Sequence, residues 1–242
     1  MLTASTTALP GLIPALERLA VAVEQRPLID FAPPEDWRPL DQVLARLHQY
    51  GALALTSPRA AQAVAGRLRA RGDSPQQQVP AVWASGPATA AALEGLLGSV
   101  RLPSRRAAAV GAGQALADAM LAEGIAGPVL FPCGETHREE LPSVLRGGGV
   151  VVDEVVCYRS VLADPADARV AAELGTILIV ASPTVVQLLA RACPKGRRPA
   201  LLAVGPTTAE AARTAGWPAA ATAGEPTARG VAAALKRLLE HH

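Results

Sequence analysis

Cys133 stands four residues before His137 in the stretch LFPCGETHREELPSVL, residues 130 to 145. A thiol and an imidazole at that spacing raise two chemistries, metal ligation and nucleophilic catalysis. No third Cys, His or paired carboxylate lies nearby in the sequence to complete a coordination sphere, so no metal is expected there. A thiol nucleophile needs a base oriented by a third group, and a small buried thiol between Pro132 and Gly134 is the commoner state, so Cys133 reads as structural. What the stretch keeps is Gly134 and Thr136 at the start of an expected helix, with His137 one turn in. Glu139 and Glu140 sit in its early turns, where acidic residues favour the dipole, and Gly147-Gly148-Gly149 close it.

The same kind of turn recurs along the chain. Apolar runs end in Thr56-Ser57-Pro58, Ser85-Gly86-Pro87, Cys133-Gly134-Glu135-Thr136, Ser182-Pro183-Thr184 and Gly205-Pro206-Thr207-Thr208. Each supplies a small residue for close approach and most add a hydroxyl. Taken singly, such a turn is an ordinary helix cap, since Ser and Thr are common N-caps and Pro is common in the first turn. Taken together, helix N-termini gathered at the carboxyl ends of parallel strands can hold several carboxylates through backbone N–H groups without a large excess of positive charge. None is a phosphate loop, and Gly111-Ala112-Gly113-Gln114-Ala115-Leu116 lacks the last glycine of a dinucleotide fingerprint, so nucleotide cofactors are not expected.

The elements that must position these turns are strand, turn and helix units. Strands are expected in GALALTSP (51–58), AVWASGP (81–87), RAAAVGAG (106–113), PVLFPCG (128–134) and VVVDEVVCY (150–158), with helical patterns between them. Continuous apolar strands alternating with helices imply parallel sheets covered on both faces. The pattern then repeats: LALTSPRAAQAV is echoed by LIVASPTVVQLL, ASGPATAAALEG by AVGPTTAEAARTAG, and GAGQALADAM more weakly by EPTARGVAAAL. The offsets are 125 (Ser57 to Ser182), 119 (Gly86 to Gly205) and 115 (Leu116 to Val231).

Two similar doubly wound α/β domains follow. One is discontinuous, residues 1–32 plus 163–238, and the other, 37–157, is inserted into it. After residue 176 only TILIVAS, ALLAVG and AAATAG read as strands, so the N-terminal helix (9–23) and the strand RPLIDF are expected to complete that second sheet. Crossovers near APPEDW (32–37) and SVLADPAD (160–167) make a two-stranded linker able to flex as a hinge. Leu239, Glu240, His241 and His242 look like a tag remnant.

Composition narrows the class. Half of the 242 residues are hydrophobic, but aromatics are few (Trp 3, Tyr 2, Phe 2), so the core must be built from small side chains in closely packed layers. A formal net charge of +2, with no long basic run, gives no footprint for duplex DNA or an anionic membrane. No apolar stretch suits a spanning helix and no export signal is seen. Cys133, Cys157 and Cys193 form an odd, widely spaced set without a Cys-x-x-Cys pair, so reduced thiols in a cytoplasmic protein are expected.

LFPCGETHREELPSVLRGGGVVVDEVVCYRSV (130–161), together with LTSPRA near residue 57 and AVGPTTAEAA near the C-terminus, resembles the uroporphyrinogen-III synthase family over residues 27 to 236. The resemblance implies two α/β domains joined by a two-stranded ladder, with a cleft between them. It implies an enzyme, a hydro-lyase of haem biosynthesis, that cyclises the linear tetrapyrrole hydroxymethylbilane to uroporphyrinogen III with inversion of the last pyrrole ring, without metal or organic cofactor. A polycarboxylate substrate suits preorganised N–H and hydroxyl donors. By the same resemblance Tyr158 is the catalytic residue, a phenol that donates to the departing hydroxyl. Ser57, Arg59, Gly86, Thr89 and Gly134 in one domain, and Ser182, Thr207 and Thr208 in the other, bind substrate. Thr136 and Thr184 are added from position alone. A monomer is expected.

The start MLTASTTALPG departs from the family's apolar strand ending in Thr-Arg-Pro, so the first strand is either short or degenerate, and Ala112 stands where a small hydroxyl residue is common. Two other readings stand beside the enzyme. They are a non-catalytic two-lobed binding protein for a polycarboxylate ligand, and an inactive family member.

Overall fold

Leu53 and Leu55 of strand β2 (Ala52–Leu55) are buried in one apolar cluster, and Ala52 and Ala54 in another, so the strand is covered on both faces as its unbroken apolar run requires. The structure, a computed structural model, describes residues 1–4, 9–72, 80–93, 95–104, 112–196 and 198–240. Strands β1 (Ile29–Ala32), β2, β3 (Ala81–Ala84), β4 (Val100–Arg101), β5 (Val129–Gly134) and β6 (Val152–Leu162) form a six-stranded sheet in the order β1-β6-β5-β2-β3-β4. Strands β7 (Ile177–Val180), β8 (Ala200–Ala203) and β9 (Ala221–Thr222) form a three-stranded sheet in that order. The ladders β2–β3, β2–β5, β3–β4, β5–β6, β7–β8 and β8–β9 are all parallel, so this is an α/β protein with two parallel sheets.

The repeat seen in the sequence returns as repeated local geometry. Helix α3 (Pro58–Arg71) follows β2 with Ser57 as N-cap at φ −140°, ψ 144°, and α8 (Pro183–Ala192) follows β7 with Ser182 at φ −126°, ψ 131°. Likewise α4 (Pro87–Ala91) and α9 (Pro206–Thr214) start after Gly86 and Gly205, both fully extended, at φ −175° and −162°. A proline opens all four helices, where its missing N–H deprives the ladder of nothing. The third echo is β4 with α5 (Ala112–Ala122) against β9 with α10 (Ala228–Glu240). The strand expected in 106–113 lies mostly outside the described residues, with Ala112 and Gly113 opening α5, and the place beside β3 belongs to β4.

The chain divides into two compact units, residues 1–30 with 161–242, and residues 31–160. Each has its own core on both faces of its sheet. In the first, Leu178 and Val180 pack with α8 and α7 (Pro165–Leu174), while Ile179 packs with α10 and α1 (Leu12–Glu17). In the second, Leu53 and Leu55 pack with α3 and α2 (Arg38–Ala45), while Ala52, Ala54 and Phe131 pack with α5 and α6 (Glu140–Gly147).

Two expectations are corrected. Strand β1, expected in the smaller sheet, lies beside β6 in the larger one, where it covers the edge of an eleven-residue strand. In the smaller sheet Met1–Thr3 pairs instead: the Ile179 N–H donates to Met1 O at 2.9 Å, the Thr3 N–H to Ile179 O at 3.1 Å, and the Leu2 N–H to Glu24 O at 2.8 Å. The start of the chain thus meets the smaller sheet through an isolated bridge at Leu2, not through a strand. The helix expected over 9–23 contracts to Leu12–Glu17, because Ala20 adopts φ 56° and breaks the run. Leu239 and Glu240 continue α10, and His241 and His242 lie outside the described residues. Among the described residues no helix is long and apolar enough to cross a membrane.

Candidate functional site

The parallel ladder between β5 and β6 slips by one residue between Cys133 and Gly134, which sets Gly134 opposite Tyr158. The Glu135 N–H then donates to Tyr158 O at 2.9 Å and fixes the strand end. The Tyr158 ring lies directly against Gly134: a Cβ there would stand 2.8 Å from Cε2 and Cζ and 3.0 Å from the phenolic oxygen. Glycine is what allows the half-buried ring this seat.

Two other segments converge on the ring. Ser57 accepts from the Ala60 N–H at 3.1 Å as the cap of α3, and its hydroxyl approaches the Tyr158 oxygen at 3.5 Å. Phe31 of β1 meets Tyr158 edge-on, with centroids 5.9 Å apart and planes at 66°, and the Arg59 guanidinium stacks 3.3 Å above the Phe31 ring. Ser57, Arg59, Gly134 and Tyr158, named from separate stretches of sequence, thus come together within one unit. Phe31 was missed. Its only signal was an aromatic ending the run RPLIDF, and nothing in spacing ties that run to residue 158.

The remaining named residues fall into two groups. Gly86 caps α4, with open space where a Cβ would be, while Thr89 is buried and its N–H is bonded to Gly86 O at 3.1 Å. In the other unit Ser182 is half-buried at the start of α8 and makes no side-chain cap bond, Thr184 is exposed in its first turn, Thr207 is exposed in α9, and Thr208 is buried.

Thr136 is exposed but is not at a helix N-terminus, because α6 begins only at Glu140. An earlier start would put Pro142 in the helix interior, where it lacks a donor and clashes with the preceding turn; from Glu140 it falls in the first turn, where it is tolerated. His137 accordingly lies in the loop, not one turn into the helix.

His137 has a different setting from the one its sequence suggests. Its Nδ1 is 3.0 Å from Gly134 O, and its Nε2 is 2.6 Å from a carboxylate oxygen of Glu154. Glu154 arrives from β6, where it registers with Phe131 of β5, so strand pairing supplies a carboxylate from 17 residues further along the chain. Cys133 completes the group, its Sγ and the His137 and Glu154 ligand atoms lying within 4.8 Å of one another. Burial, then the charges of Glu154 and Glu139, push the Cys133 thiol up to about 12. Burial, then Cys133, does the same to Cys157, also to about 12. Neither is a thiolate near neutrality, which removes the basis for a cysteine nucleophile.

Fold and site together define a two-unit parallel α/β protein whose strand ends carry repeated proline-opened helix caps, with a phenol seated on a glycine at one of them. Residues 11–233 match the family described as uroporphyrinogen-III synthase HemD, and the chain belongs to that family. It is 31% identical over 185 residues to the uroporphyrinogen-III synthase of Synechococcus elongatus, a match covering 70% of this chain and 65% of that protein's length. Its fold is similar to a mutant uroporphyrinogen III synthase from the extremely thermophilic bacterium Thermus thermophilus (TM-score 0.64, 19% identity, 100% of this chain and 98% of that one). The uroporphyrinogen-III synthetase of Helicobacter pylori is also similar (TM-score 0.55, 15% identity, 92% and 94%).

Proposed function

We propose that this chain is a uroporphyrinogen-III synthase, closing hydroxymethylbilane to uroporphyrinogen III with loss of water. The observation that carries the reading is the seat of Tyr158 on Gly134, beside Ser57, in a chain of this family. With the Ser57 hydroxyl directed at the phenolic oxygen, the phenol's own proton is left to donate to the departing hydroxyl of the bilane. Loss of that hydroxyl as water leaves an electrophilic azafulvene. Attack by the substituted carbon of the last ring gives a spiro intermediate, from which the ring reattaches inverted.

Holding that geometry against direct closure is the larger part of the task. The substrate carboxylates are assigned to the helix caps and first turns, Ser57, Arg59 and Gly86 in one unit and Ser182, Thr184 and Thr207 in the other, with Gly134 at the end of β5 and Thr136 an exposed hydroxyl on the loop after it. Thr89 and Thr208, buried, are assigned to shaping their turns. The protein is taken to act as a cytoplasmic monomer without a cofactor. The test is incubation with freshly made hydroxymethylbilane, oxidation, and separation of the uroporphyrin isomers. Isomer III above the non-enzymatic background is expected; isomer I alone would overturn the reading.

A further inference from the structure

We infer that Cys133, His137 and Glu154 form a binding site for a divalent transition-metal ion of the zinc class, separate from the proposed ring closure. One S, one N and one O ligand atom gather within 4.8 Å, two of them no more than half-exposed and the third buried. A tetrahedral ion with bonds of about 2.0–2.3 Å needs ligand atoms roughly 3.3–3.8 Å apart. The 2.6 Å His137–Glu154 separation and the 4.8 Å limit bracket that range.

The outer contacts already have the form a metal site needs. His137 Nδ1 faces a backbone carbonyl and must donate to it, which turns the lone pair of a neutral ring to Nε2, the nitrogen beside Glu154 and Cys133. That lone pair 2.6 Å from a carboxylate is repulsive unless a cation stands between them, whether a proton or a metal. Arg146 holds the second Glu154 oxygen at 2.5 Å and Val152 O at 3.2 Å, orienting the carboxylate. Glu139, 3.4 Å from Nε2, is placed to be a fourth ligand. A thiol and an imidazole select zinc-like ions over magnesium or calcium.

The test uses the reduced, chelator-stripped full chain titrated with Co²⁺ as probe. One equivalent is expected to bind with a thiolate-to-cobalt charge-transfer band that Zn²⁺ abolishes. Cys133→Ser should remove the band, Cys157→Ser and Cys193→Ser should keep it, and Glu154→Gln should weaken binding by at least about 10-fold. No band in the wild type, or one that survives Cys133→Ser, overturns the inference. Because Cys133→Ser alters a packed core, the unmodified chain carries a second measurement: Zn²⁺, but not Mg²⁺, should raise its melting temperature. An unchanged melting temperature with Zn²⁺ also overturns it.

Discussion

Replacing Gly134 by Ala tests the seat of the phenol directly. Gly134 does not have a positive φ, so alanine brings no backbone strain there, and the effect is confined to the added methyl. That methyl would stand 2.8 Å from two ring carbons of Tyr158, whereas carbon atoms rest at about 3.5–4.0 Å, so the ring must retreat by roughly 0.7–1.2 Å. A misplacement of about 1 Å at a positioned catalytic group costs on the order of 100-fold, so kcat should fall by about 10- to 100-fold. Overpacking should also cost about 1–3 kcal/mol of stability, seen as a lower melting temperature in a chain that still folds.

The assay is the initial rate of uroporphyrinogen III formation, with the isomer ratio read after oxidation. If the methyl acts by displacing the phenol, it should cost much less on a Tyr158→Phe background, where there is no hydroxyl to misplace. Such non-additivity is the expected mark of two changes acting through one group. Full kcat in Gly134→Ala, or the same loss on both backgrounds, would refute this account of the seat.

Tyr158→Phe itself should lower turnover by about 10- to 1000-fold with little change in melting temperature, read by the same isomer assay. Ser57→Ala should cost about 1 kcal/mol of stability, because the serine caps the Ala60 N–H, while Ser182→Ala should cost clearly less, because it makes no such bond; denaturant titration separates the two. The Cys133 and Cys157 thiols are raised in the fold from their ordinary 9.0 to about 12, so the unfolded chain loses these protons first as pH rises. Their contribution to stability is then fully present below about pH 9 and lost between roughly 9 and 12, and thiol reagents at neutral pH should label the unfolded chain only.

Much of the fold was legible because its signals are local. Unbroken apolar runs ending in Ser-Pro or Gly-Pro fix strand, cap and helix within a dozen residues, and their repetition exposed the two halves before any contact was known. Helix α6 was less so: the Glu pair and the glycines marked a helix, but the start depends on where Pro142 can be tolerated. Strand β1 was misplaced because a four-residue strand carries no address. Its partner is chosen by which sheet edge is open, and the long β6 offered one.

The residue types at the strand ends were likewise readable one turn at a time, from Ser57 to Thr208. The pairing of Gly134 with Tyr158 was not, since it rests on a one-residue slip in a ladder between strands that the sequence only says are parallel. Phe31 and Glu154 belong to the same class of fact. Short-range chemistry writes caps, turns and burial patterns into the chain itself, whereas register and edge choice are won by packing among residues far apart along the chain, and only the folded sheet records the outcome.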